Sequence, residues 1–150
     1  PLLPGSQELG RRGGTENVPG IVGFGKAVEL TQKVDWKKVE KLRNWFEHEL
    51  EELGGVSTCK QSLRLPGHVH VSFLGQDAEQ LVVALSEKGV YCSARSACVT
   101  KQQTENRILR AIGMKKELQK GSLRFVVGSE TTKKELMDVG RVLRGLLHVA

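Results

Sequence analysis

Cys98 is the side chain in this sequence best suited to act as a nucleophile. It sits among small and polar residues, Ser93, Ala94, Ser96, Ala97 and Thr100, with Arg95 three positions before it. A thiol attacks only as thiolate, so the chemistry needs a group that ionises readily, and a nearby positive charge with solvent exposure favours that. Two other cysteines, Cys59 and Cys92, lie outside any recognisable site and read as small packing residues. None of the three has metal-ligand spacing: no C-x-x-C occurs and His48, His68, His70 and His148 are scattered, so no metal site is expected.

A second candidate is Arg124. Leu123, Phe125 and Val127 alternate with Ser122, Arg124 and Val126, a strand pattern that puts Arg124 on the face away from the three apolar side chains. Two readings are open: a side chain snorkelling at a sheet edge, or a guanidinium fork held for a carboxylate, whose two oxygens match its planar donors.

These residues need positioning elements. Val90 to Ser93 alternate as a short strand, while Ile108, Leu109 and Ile112 have helical spacing, with Thr104 as N-cap and Gly113 as stop. Between them runs roughly a dozen residues of connection, longer than usual, and thus either a functional arm or a surface turn. Residues 1–16 hold two of the four prolines, four glycines and two arginines with no apolar period. They read as an extended arm. Asn17 and Pro19 then start a helix with Val18, Ile21, Val22 and Val28 on one stripe, and Asp35 starts a stronger one, from Trp36 to Leu53, ended by Gly54 and Gly55. Residues 17–55 are read as connecting helices.

Val69, Val71 and Phe73 alternate with polar neighbours as a half-buried strand, which puts His68 and His70 together on its other face. Two histidines so spaced could bind a metal, but without a third ligand nearby the solvated or hydrogen-bonded reading is favoured. Asp77 with Gln80 resembles a capping box before a helix that runs to Gly89, and Thr132 with Glu135 forms another before the last helix, through Leu136, Val139, Leu143, Leu146 and Leu147. Strands separated by helices, with apolar stripes for one side of a small sheet, give an α/β fold: a two-layer sandwich over residues 56–150, preceded by the arm and the helices.

A chain of 150 residues suits one domain. The net charge of +6 comes from 23 Lys and Arg against 17 Asp and Glu, interleaved along helices. With only 5% aromatic residues it lacks the concentrated basic, aromatic stripe of a nucleic-acid surface. No apolar run approaches the roughly 20 residues needed to span a bilayer, so neither nucleic acid nor membrane is an expected partner. An odd cysteine count without a secretory signal points to a reducing compartment, the cytoplasm or, behind a missing targeting segment, an organelle matrix.

Three blocks carry a family resemblance. S-x-x-S-A-C, followed by ten residues and then L-R-A-I-G, resembles the catalytic loop of long-loop cysteine desulfurases, pyridoxal-phosphate enzymes of the class V aminotransferase group. The block from Gln7 to Asn17, QELGRRGGTEN, and that from Gly121 to Gly128, GSLRFVVG, agree in order and spacing. The resemblance implies the small C-terminal domain of a fold-type I pyridoxal-phosphate enzyme, with an arm and long helices returning from a large domain. It implies that L-cysteine is the substrate, that Cys98 takes its sulfur as a persulfide with release of alanine, and that the sulfur passes to an iron–sulfur scaffold or other acceptor. Arg124 matches the arginine that binds the substrate carboxylate. Thr15 matches the threonine that reaches the phosphate of the partner subunit's cofactor in a homodimer, whereas the places of Gln7, Arg12 and Asn17 rest on their block alone.

The sequence departs from the family in two ways. Arg95 stands where the family usually carries glycine, which bears on the loop's backbone. No S-x-H-K segment occurs, so the lysine that holds the cofactor is expected on a preceding large domain, and the chain alone is expected to be inactive. The alternative is a stand-alone module that relays persulfide sulfur on Cys98 or docks to a partner without cofactor chemistry.

Overall fold

The computed structural model describes residues 4–94 and 107–148; Arg95, Cys98 and Thr104 lie outside them. The chain divides into two compact units, one ending at Val34 and one starting at Asp35. In the first, α1 (Gln7–Gly10) is a single turn within the stretch read as an arm, and Glu8 and Leu9 take positive φ of 49° and 58° inside it. Helix α2 (Val18–Gln32) starts as its sequence dictates. The Asn17 side chain accepts from the backbone N–H of Gly20 at 3.1 Å, and Pro19 sits in the first turn, where its missing N–H costs nothing. Its apolar side chains are exposed, Phe24 by 73%.

The second unit is a four-stranded antiparallel sheet with its longer helices over one face. Its strands are β1 (Gly55–Ser57), β2 (His68–Phe73), β3 (Ser93–Ala94) and β4 (Ser122–Val126), in the order β1-β2-β4-β3. Between them run α3 (Trp36–Glu52), α4 (Ala78–Glu87), the short α5 (Arg107–Ala111) and α6 (Lys116–Gln119), and finally α7 (Lys133–Leu147). Asp35 caps α3 by accepting from Lys38 N–H at 3.0 Å, and Gly54, at φ 83°, ends it. Thr132 and Glu135 form the expected capping box at α7.

Register explains the core. Val69 pairs with Phe125 and Val71 with Leu123, all buried, so one face of β2 and β4 is apolar. Phe46 and Leu50 of α3 lie on that face, with the Phe46 ring edge-on to Phe125 at 5.5 Å. Leu85 of α4 and Leu143 of α7 are fully buried with them. Gly121 has a steric reason: a Cβ there would run into the Phe73 carbonyl, whose own N–H donates to Gly121 O at 3.1 Å.

The expected two-layer α/β sandwich is observed, with two differences in its strands. The third begins at Ser93, not Val90: Gly89, at φ 77°, turns out of α4 and the Val90 N–H is used to close that helix on Leu85 O. Edge strand β1 was not expected, because three residues are too few to show an alternation. Among the described residues no helix is long and apolar enough to cross a membrane.

Candidate functional site

The other face of the sheet, which α6 covers at its Ser72–Ser122 end, carries the polar members of the same alternation. His70 of β2 and Ser93 of β3 are both register partners of Arg124, so β4 holds Arg124 between them. Thr58, just past β1, donates its N–H to His70 O at 3.2 Å and extends the rung to Thr58, His70, Arg124 and Ser93. The next rung on one side is Ser72 with Ser122, both buried and both donating to Leu118 O of α6. On the other side His68 pairs with Val126, beside an apolar hollow of about 460 Å³ lined by Trp36, Leu65, Pro66 and Val127 among others. Arg124 is exposed, and among the described residues it forms no ion pair or hydrogen bond.

His70 is half-buried, and its Nδ1 lies 2.8 Å from Thr58 Oγ1. Burial, and then the charge of Arg124, hold its pKa below the ordinary histidine value, so the ring is biased to the neutral form. The hydrogen-bonded reading of the histidine pair holds for His70. Among the described residues no cluster of three His, Cys, Asp or Glu could hold a metal.

Cys92, half-buried just before β3, has its thiol pushed up to about 11 by burial, so it stays protonated at neutral pH, as a packing residue should. Cys59 does not pack: it is exposed, at φ 57°, in the turn after Thr58. Cys98 lies outside the described residues, although the strand that leads to it is β3.

Thr15 belongs to the first unit and is exposed. The stretch around it is shaped by Arg12, whose guanidinium donates to Gly14 O at 2.6 Å and to Glu16 Oε1 at 2.9 Å. Arg12 therefore ties the loop together, and the Thr15 hydroxyl has no partner among the described residues.

The Aminotransferase class-V profile matches residues 5–139, nearly the whole chain. The chain belongs to the class-V aminotransferase family. Among curated relatives, the cysteine desulfurase IscS of Dictyoglomus turgidum is 39% identical over 158 residues, covering 99% of this chain and 39% of the relative. Cysteine desulfurase IscS 1 of Archaeoglobus fulgidus is 33% identical over 151 residues, covering 98% and 40%. A solved NifS-like protein superposes with TM-score 0.80 at 30% identity, over 100% of this chain and 39% of that one. A second, from Rickettsia africae, gives TM-score 0.83 at 24% identity and shares the fold. The chain thus spans about two-fifths of the length of the curated relatives it matches.

Pyridoxal phosphate is the cofactor this family implies, and the described residues fit part of it. The unpartnered Thr15 hydroxyl suits a phosphate oxygen, and the Arg124 fork suits the carboxylate of an amino-acid substrate. Every described lysine side chain is exposed. Sequence reasoning missed Ser93 as a neighbour of Arg124 and Thr58 as a neighbour of His70, since period-2 patterning gives the face of a residue and not the strand beside it.

Proposed function

We propose that this chain is the C-terminal part of a cysteine desulfurase, supplying the sulfur-accepting thiol Cys98, the carboxylate-holding Arg124 and the phosphate ligand Thr15. The observation that carries the reading is Arg124: an exposed guanidinium on the open face of the sheet, flanked by polar side chains and with no carboxylate of its own among the described residues. Cys98 follows Ser93, the register partner of Arg124, by five residues, which extend no further than about 18 Å.

In this reading Arg124 fixes the substrate by two parallel hydrogen bonds to its carboxylate, which leaves the sulfur end free to meet Cys98. When bound, the cofactor would supply the electron sink that lets the Cβ–S bond of L-cysteine break. The Cys98 thiolate attacks the substrate sulfur, an S–S bond forms as the Cβ–S bond breaks, and the electron pair left on Cβ takes a proton to give the methyl group of alanine. The balance is L-cysteine plus Cys98 thiol to L-alanine plus Cys98 persulfide. The persulfide then passes its outer sulfur to an iron–sulfur scaffold or another acceptor. Thr15 donates to the phosphate held by the partner subunit of a homodimer, and the lysine that holds the cofactor comes from a large domain outside this chain. A thiol that must stay free to take sulfur suits a reducing compartment, cytoplasm or organelle matrix.

The test compares the chain alone with a chimera that joins it to the part of the Dictyoglomus turgidum relative preceding the matched stretch. With pyridoxal phosphate and L-cysteine, the chain alone forms no alanine, and the chimera binds the cofactor and forms alanine in a Cys98-dependent way. Alanine from the chain alone, lost in Cys98→Ala, would overturn the division of labour; a cofactor-loaded chimera whose turnover survives Cys98→Ala would overturn the role of Cys98.

A further inference from the structure

Arg124 has one ionisable partner across the β2–β4 pair, His70, and the two sit opposite each other in register. A cationic ring there would face a guanidinium at cross-strand distance, and like charges directly opposite are unfavourable. Yet His70 is built to change state: Thr58 Oγ1, 2.8 Å from Nδ1, is both donor and acceptor, so its bond survives whether Nδ1 carries a proton or not.

Among the described residues the other groups facing His70 are few. On its own strand and face stands His68, and β1 with Thr58 brings no charge. Helix α3 covers the opposite face and carries the charged Arg43 and Glu47; α6, at the Ser72 end, carries Lys116 and Glu117, both exposed. Among the described residues Arg124 is therefore the dominant charge that His70 meets, and whatever neutralises Arg124 changes the ring.

We propose that His70 is a proton-linked positioning residue of the Arg124 carboxylate site: neutral while Arg124 has no counter-ion, it takes up a proton when an amino-acid carboxylate docks on the guanidinium. The inference rests on the reading of Arg124 as a carboxylate anchor. A docked carboxylate cancels the charge that kept the ring neutral and adds a negative charge beside it, and both effects favour imidazolium. Linkage is reciprocal, so carboxylate affinity rises as pH falls through the range in which His70 titrates. The imidazolium in turn gives the carboxylate a second cationic contact on one rung.

The full chain, labelled at histidine Cε1 and arginine Nε, can be titrated by NMR with S-methyl-L-cysteine, which keeps the carboxylate and amine of cysteine and lacks a free thiol. The probe shifts the Arg124 Nε signal and raises the His70 midpoint by roughly one pH unit, and in Arg124→Gln it does neither. Without probe, Arg124→Gln raises the His70 midpoint. In His70→Asn the probe still shifts Arg124, but its affinity no longer varies between about pH 5 and 7.5. A purely structural histidine would leave its titration unmoved by the probe, so an Arg124 response with an unshifted His70 midpoint overturns this proposal and leaves the anchor standing. No Arg124 response at any probe concentration overturns both.

Discussion

Two arginines of the second unit show opposite solutions to the same problem. Arg64 places both terminal nitrogens on Glu47, at 2.7 and 2.6 Å, and Glu47 is only 2% exposed. That bond, more than any other influence, raises the Arg64 pKa above its ordinary value. Arg124 has the same planar fork and, among the described residues, no carboxylate. Charge is structural at Arg64, and at Arg124 it is left available at the surface. Under the loop that precedes β2 the fold supplies its own anion; on the open face of the sheet the described residues supply Thr58, His70 and Ser93 and no anion.

The contrast can be broken by mutation, and the largest effect belongs to the covered face that both sites depend on. Phe46→Ala removes a fully buried ring from its contact with Phe125 and should cost about 4 kcal/mol, read as the urea-denaturation free energy. A loss under about 1 kcal/mol would mean that α3 does not pack as described.

Glu47→Gln turns Arg64 into a second Arg124, but in a place that cannot bear it. Breaking a buried pair leaves an uncompensated charge, and the expected loss is about 3 kcal/mol, at the low end because Arg64 keeps some access to water, 16% of its side chain. The converse change, His70→Glu, turns Arg124 into a second Arg64 by placing a carboxylate at its register partner. Stability should shift by less than about 1 kcal/mol, as for cross-strand charge pairs, while binding of S-methyl-L-cysteine is lost. Retained binding with an unchanged Arg124 signal would show that the fork is not the docking point.

The smallest effect is a pH slope. Because the folded chain holds the His70 pKa below the unfolded value of 6.5, the unfolded state binds more protons between the two, so stability rises with pH there. The contribution is present above 6.5 and is lost as pH falls through the folded midpoint, and His70→Asn removes it. Urea midpoints of both proteins at several pH values give the difference; parallel curves would contradict the shifted histidine.

Much of this fold is legible because local rules and tertiary structure agree. Asn17, Asp35 and Thr132 cap the helices that follow them, and Leu123 and Phe125 go inward while Arg124 goes out. What was hidden depends on long-range pairing. The Arg64–Glu47 fork joins residues 17 apart, and the rung around Arg124 joins residues from four segments that no periodicity links. The start of β3 was misplaced because Val90 looks like a strand residue while its N–H serves the end of α4. Cys98 and Thr15, the other residues read from the motifs, lie outside the described segment and in the separate first unit.

On the proposed function, sulfur arrives on one cysteine of three. Intact-peptide mass spectrometry of the cofactor-loaded chimera, quenched after exposure to L-cysteine, locates it. A single added sulfur is expected on the peptide that carries Cys98, with Cys59 and the protonated Cys92 unmodified. Sulfur on Cys59, with Cys98 unmodified, would contradict it.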